Sequence, residues 1–200
     1  MENQTTEVKI VVCRHPEKDD DKITPHGAAQ CFAAALALAE KDLKPELLLY
    51  SGAVRTNQAA RVMAAAMQAF NVWPEENKDF HFEECFKKNL DGSMDKFKAE
   101  LEKIKLAGGT LEHALEISKY ARQGRIQVTE AILTLAHVLA GHGKTVALVV
   151  SHSPWTEFAA IDPDAMPYGL GEADAVVYTV VTGKRTTIIT ASELIRAPKV

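Results

Sequence analysis

Apolar positions along the chain fall into two kinds of run. Val8 to Cys13 is apolar at every position except Lys9, and Thr145 to Ser151 reads Thr-Val-Ala-Leu-Val-Val-Ser. Short uninterrupted runs rich in Val and Ile are the signature of strands buried on both faces, as in a parallel sheet. Leu47 to Tyr50 is a shorter run of the same kind, and Phe80 to Cys85 is predicted as another short strand. Longer stretches rich in Ala and Leu lie between them and predict helices. One runs from Thr24-Pro25, a good N-cap and first-turn pair, to about Lys41. A second runs from Val54 to about Phe70, its many alanines permitting close packing on a sheet. Residues 91–142 are predicted helical, with Asp91 or Ser93 as a cap, punctuation at Gly108-Gly109 and Gly124, and an apolar stripe of Ile132, Leu135, Ala136 and Leu139. Near the end, Ala175 to Thr182 and Thr186 to Thr190 flank Gly183-Lys184 and predict a hairpin.

Strands alternating with helices and closed by a hairpin predict a three-layer α/β/α sandwich, with a mostly parallel central sheet and an antiparallel edge. Residues 91–142 are expected as a helical insertion or cap. No repeat, low-complexity tract or linker divides the chain, so residues 1–200 read as one domain.

Composition narrows the partners. With 200 residues, 46% of them hydrophobic, the chain can build a core without metal or disulfide. Cys13, Cys31 and Cys85 are widely spaced and form no CxxC, which argues against a disulfide framework or a cysteine-rich zinc site. They are expected as small core fillers. A net charge of −4 with dispersed basic residues does not suit a nucleic-acid partner. No apolar run approaches the roughly 18 residues needed to span a bilayer, and Met1 to Glu7 lacks a basic-then-apolar leader. The expectation is an unprocessed cytoplasmic protein without a membrane partner. Oligomeric state leaves no mark in the sequence.

Ligands of open α/β sheets sit beyond the carboxyl ends of the strands, so the residues just after each strand are the informative ones. Here those residues are Arg14-His15, Ser51 with Arg55 one helical turn on, and Ser151-His152. Each alone is more often a salt-bridge partner or a structural histidine. Together they suit a phosphoryl group: guanidinium forks bind phosphate bidentately and keep their charge, and a neutral imidazole is a competent nucleophile near pH 7. Phosphoryl transfer asks mainly for positioning and charge neutralisation, which this set supplies with no metal or cofactor.

Four ordered blocks also carry a family resemblance. They are Val11-Val12-Cys13-Arg14-His15-Pro16-Glu17-Lys18, Ile23-Thr24-Pro25-His26-Gly27-Ala28-Ala29-Gln30, Ser51-Gly52-Ala53-Val54-Arg55-Thr56-Asn57-Gln58-Ala59-Ala60, and Val149-Val150-Ser151-His152. In this order the chain resembles the histidine phosphatase superfamily, also called phosphoglycerate mutase-like. The resemblance implies that His15 is the phosphorylated nucleophile and that Arg14, Arg55 and His152 bind the phosphoryl group. It also implies a carboxylic acid after the third strand that protonates the leaving group, at Glu84 by spacing, with Glu83 beside it. The bare residues leave open that these are two solvated carboxylates.

Two departures shape the functional expectation. Pro16 stands where the family usually has glycine, fixing φ and removing a backbone N–H beside the phosphoryl site. Asn89-Leu90-Asp91-Gly92 stands where cofactor-dependent mutases carry a Gly/Trp-Glu-Gly segment, which favours a hydrolase. The leading expectation is therefore a metal-independent phosphatase acting on a small phosphomonoester or on protein phosphohistidine. Ser151-His152-Ser153-Pro154 looks similar to small phosphohistidine phosphatases. A catalytically weak phospho-ligand binding or regulatory module is the alternative, and a phosphomutase comes third.

Other signals lead elsewhere or nowhere. Gly143-Lys144-Thr145 ends like a P-loop but lacks the first glycine and precedes a strand, so it reads as a turn. No cysteine has an arginine six positions on, and Asp162-Pro163-Asp164 sits in a proline-rich loop. His137 and His142 are poorly spaced for a metal, and His26 and His81 read as solvated or structural. Glu17-Lys18-Asp19-Asp20-Asp21 reads as a solvated loop whose carboxylates, if it overhangs the pocket, would disfavour highly anionic substrates.

Overall fold

Alternation along the first strand explains why the sheet is buried on both sides. In β1 (Thr6–Arg14), Val8, Ile10 and Val12 point into one apolar cluster, while Val11 and Cys13 point into the other. The period of two in a pleated strand sends successive side chains to opposite faces, so a continuous apolar run serves two layers at once. The computed structural model describes residues 5–80, 99–100, 102–104 and 106–200.

After β1 comes a small hairpin, β2 (Lys18–Asp19) and β3 (Lys22–Ile23), then α1 (Pro25–Ala39), β4 (Leu47–Tyr50), α2 (Val54–Ala66) and β5 (Pro74–Glu76). Further on lie α3 (Leu111–Ile117), α4 (Lys119–Gly141), β6 (Val146–Ser151), β7 (Ala175–Thr182) and β8 (Thr187–Ile195). The six-stranded sheet has the order β5-β4-β6-β1-β7-β8. Strands β5, β4, β6 and β1 run parallel, and β7 and β8 add the antiparallel edge. Helices α1 and α2 cover one face through Cys31, Ala34, Leu38, Ala60 and Met63. On the other face α4 lays down Val128, Ile132, Leu135, Ala136 and Leu139, joined by Trp155 and Phe158 from the segment after β6. This is the expected α/β sandwich, and the stripe read at Ile132 to Leu139 is core.

Local differences from the sequence reading have identifiable causes. Helix α2 stops at Ala66, short of Phe70, because Gln68 turns to φ 54° and the chain closes with Ala69 N donating to Ala64 O at 2.9 Å. Strand β5 was not predicted. It is the edge strand, short and polar, and such an edge tolerates the missing N–H of Pro74. Strand β8 continues to Ile195, beyond the predicted Thr190, since its alternating exposure suits an edge strand wetted on one side. Phe80 lies in a 3₁₀ turn (Lys78–Phe80), and the remainder of the strand expected at 80–85 falls outside the described residues, as do Asp91 and Ser93.

Gly124 does not punctuate a helix but sits inside α4. A Cβ there would stand 2.3 Å from Cε2 of Phe158, so the residue is small because a ring approaches the helix backbone. Thr110 and Ser118 cap α3 and α4, accepting from His113 N and Ala121 N. No described helix is long and apolar enough to cross a membrane.

Candidate active site

Register brings the strand ends together. In the parallel pairing of β1 with β6, Arg14 stands opposite Ser151, and β4 pairs Tyr50 with Val150. The residues that follow are therefore neighbours in space: His15 N donates to Ser151 O at 2.9 Å, and Ser51 N to Val150 O at 3.1 Å. The His15 and His152 rings meet edge to face with centroids 5.1 Å apart. Of the residues singled out in the sequence, Arg14, His15, Arg55 and His152 share this end of the sheet. Glu83 and Glu84 lie outside the described residues.

His15 has a defined proton arrangement. Its Nδ1 lies 2.8 Å from Pro16 O, and a carbonyl can only accept, so Nδ1 carries the hydrogen and Nε2 presents a lone pair. The residue is 8% exposed. Burial, opposed by the Pro16 hydrogen bond and reinforced by the charges of Arg55, Arg14 and Lys18, lowers its pKa from 6.5 to about 4. Pro16, noted in the sequence for the N–H it lacks, thus acts through its carbonyl.

His152 is set by a hydroxyl relay. Thr56 Oγ1 donates to Ala53 O at 2.8 Å, so it is free to accept from Ser51 Oγ at 3.4 Å. Ser51 Oγ in turn lies 3.0 Å from His152 Nε2 and accepts its hydrogen. Ser51 and Thr56 are fully buried, which fixes the direction of the relay. Burial also raises the thiol pKa of Cys13 and moves Cys31 to about 12, so these two cysteines are inert at neutral pH.

Each arginine is held by one contact. The Nη1 of Arg14 donates to Leu170 O, and Arg55, in the first turn of α2, is ion-paired through Nη1 to the Asp21 carboxylate. The other Asp21 oxygen accepts from Val54 N at 3.3 Å. Asp21 arrives there because its hairpin is anchored on both sides. Ile23 N donates to Gln58 Oε1 at 3.0 Å, Glu17 N to Gln30 Oε1 at 2.8 Å, and Thr24 Oγ1 to Glu17 Oε1 at 2.6 Å. At Gly27 a Cβ would stand 2.2 Å from Glu17 O, so glycine lets the loop lie directly on α1.

Sequence reasoning gave Ser51 and Glu157 no role, and it read Asp21 only as part of a solvated acidic loop that would disfavour highly anionic substrates if it overhangs the pocket. Glu157 is fully buried and accepts from Ser153 Oγ at 2.7 Å and Gly169 N at 2.8 Å, while Leu170 N donates to Ser153 Oγ at 3.0 Å. It thereby ties the loop after His152 to the carbonyl that holds Arg14. Burial pushes its pKa up. A glutamate five positions after a strand-end histidine was the available signal, yet nothing in the sequence shows that it is buried. Among the described residues no three His, Cys, Asp or Glu side chains gather as a metal site would require.

Comparison with known proteins bears on the fold. No protein-family model matches the sequence, and no curated protein does. Solved structures do match the coordinates. Phosphoglycerate mutase from Bacillus anthracis superposes with a TM-score of 0.62 at 15% identity, over 94% of this chain and 93% of that one. The chain has the fold of phosphoglycerate mutase. The protein histidine phosphatase SixA, solved with tungstate, superposes with a TM-score of 0.53 at 13% identity, over 92% of this chain and 96% of that one. A mycobacterial glucosyl-3-phosphoglycerate phosphatase gives 0.51 at 14% identity, over 96% of this chain and 100% of that one. In the terms of this fold, the paired imidazoles and the two arginines lie beyond the carboxyl ends of the parallel strands, where open sheets bind ligands.

Proposed function

We propose that the chain is a phosphatase that works through a phosphohistidine at His15. The observation that carries this reading is the state of His15: a buried, neutral imidazole with its Nδ1 hydrogen given to Pro16 O, its Nε2 lone pair available, and two guanidinium groups beside it. In the first half-reaction Nε2 attacks phosphorus in line, forming the new P–N bond as the bond to the leaving group breaks, P–O in a phosphomonoester and P–N in a phosphohistidine. Arg14 and Arg55 neutralise charge on the equatorial oxygens, and His152, held by Ser51 beside the His15 ring, is the further phosphoryl-binding residue that the family resemblance implies. A carboxylic acid gives the leaving group its proton, a role the family resemblance assigns to Glu84. In the second half-reaction water attacks phosphorus and gives a proton to the carboxylate left by the first step, restoring the acid, while the P–N bond breaks with its electron pair returning to Nε2 and orthophosphate leaves.

The substrate class is a phosphomonoester or protein phosphohistidine. The fold is shared with phosphatases acting on both kinds of molecule, a likeness that supports the reading without choosing between them. Incubation with an aryl phosphate in excess chelator tests it. Hydrolysis abolished in His15→Ala, with acid-labile, base-stable phosphate trapped on the wild-type protein, is expected. Hydrolysis unchanged in His15→Ala would exclude the mechanism.

A further inference from the structure

The hairpin after His15 does more than fill space. Asp21 is the one member of its acidic run shown in contact with the site: it is ion-paired with Arg55 and accepts from the first N–H of α2. A guanidinium fork and a helix N-terminal N–H are also the donors that a phosphoryl oxygen seeks. Arg55 lies in the first turn of α2, four residues after Ser51, whose hydroxyl touches His152 beside His15, so the carboxylate stands at the edge of the phosphoryl site itself. Among the described residues the buried Nε of Arg55 has no hydrogen-bond partner, while Asp21 holds Nη1.

Asp21 also has a structural duty. Ala53, the residue capping α2, offers no side-chain hydrogen bond, and the Asp21 oxygen on Val54 N takes that place. Capping alone would be served as well by a neutral asparagine. The negative charge is what needs another explanation, because it offsets an arginine that the proposed reaction needs. The Asp21 side chain is 46% exposed, that of Arg55 23%, and His15 as a whole 8%, so the carboxylate is the most solvent-facing of the three. In-line attack by the buried His15 has the leaving group depart on the side away from the imidazole, toward solvent, where Asp21 is the exposed carboxylate bonded to Arg55.

We infer that Asp21 is a specificity determinant, an internal anion that competes with the phosphoryl group for Arg55 and selects substrates whose leaving group is neutral or cationic. The inference rests on the reading that this site takes a phosphoryl group. A compound carrying a second anionic group beside its phosphate meets the Asp21 carboxylate and is disfavoured. A phosphorylated amine, or a phosphate ester of a positively charged alcohol, is accepted.

The test compares wild type with Asp21→Asn, which keeps an acceptor for Val54 N and removes the charge. Asp20→Asn serves as the reference, since it removes the same charge from the same turn without touching Arg55. Orthophosphate affinity is measured directly by calorimetry, and kcat/KM is measured on aryl phosphates bearing an aminomethyl or a carboxylate substituent. Asp21→Asn is expected to tighten orthophosphate about fivefold or more and to shrink the preference for the cationic ester by a similar factor, with Asp20→Asn shifting either by less than about twofold. Weaker or unchanged orthophosphate binding in Asp21→Asn, or equal effects in the two variants, would overturn the inference. If no protein turns over but Asp21→Asn binds orthophosphate more tightly, the competition stands and the phosphatase reading falls. If turnover depends on His15 while Asp21→Asn matches wild type, the phosphatase reading stands and the competition falls.

Discussion

Replacing His15 by Asn removes a buried titratable group and keeps a side-chain N–H able to reach Pro16 O, so the pair isolates what the imidazole's burial does to stability. In the folded protein the His15 pKa is lowered from 6.5 to about 4, first by burial and then by the charges of Arg55, Arg14 and Lys18. A depressed folded pKa means that the unfolded chain binds more protons between these two values. Stability is therefore fully present above about pH 6.5, falls as pH drops, and stops falling on this account below about pH 4. A shift of about 2.5 units corresponds to about 3 kcal/mol over the whole window, of which about 2 kcal/mol is lost by pH 5. Urea unfolding of wild type and His15→Asn at pH 7.5 and pH 5 measures this directly, with the double difference cancelling all other titrating groups. NMR titration of the His15 ring gives the pKa itself, and Arg55→Gln is expected to raise it while leaving it below 6.5, because burial is the larger cause. A double difference near zero, or a His15 titrating at its ordinary value, would refute the reasoning that burial and the neighbouring charges depress this imidazole.

Other expectations follow from single contacts. Gly124→Ala places a Cβ 2.3 Å from the Phe158 ring and should destabilise the fold by about 1–3 kcal/mol, seen as a lowered Tm, with Phe158→Leu in the same chain recovering part of the loss. Ser51→Ala removes the acceptor of His152 Nε2 at 3.0 Å; kcat on an aryl phosphate should fall about tenfold or more, with unfolding little changed. Asp174, 4% exposed, accepts from Gly171 N and Ala197 N, both at 2.9 Å, and from Arg196. Asp174→Ala should cost about 2–4 kcal/mol in denaturant unfolding by stranding those amides, whereas Arg196→Met, at a side chain 57% exposed, should cost under about 1 kcal/mol.

Much of the architecture was legible because it is written in local pattern. The runs at Ile10 to Cys13 and Ala147 to Val150 are apolar and buried at consecutive positions, and only a strand covered on both faces buries them all. The Thr24-Pro25 start of α1 is likewise a local signal: the Thr24 side chain accepts from Gly27 N. Chain order places Arg14-His15, Ser51 and Ser151-His152 after strands, and parallel strands put such residues at one end of a sheet. Hence the four side chains of the candidate site could be named from the sequence.

Partners and protonation states belonged to the tertiary structure alone. That Ser51 directs His152, that the Pro16 carbonyl fixes the His15 tautomer, and that Asp21 reaches Arg55 depend on contacts between residues far apart in the chain or on the orientation of one carbonyl. Gly124 shows the same limit in the core, where a glycine that looks like a helix breaker is a space left for Phe158, 34 positions away. Pattern along a chain reports which faces are apolar, because burial acts on each residue according to its own chemistry. Hydrogen bonds, charge pairing and desolvation act between specific atoms, and only the folded chain decides which atoms meet.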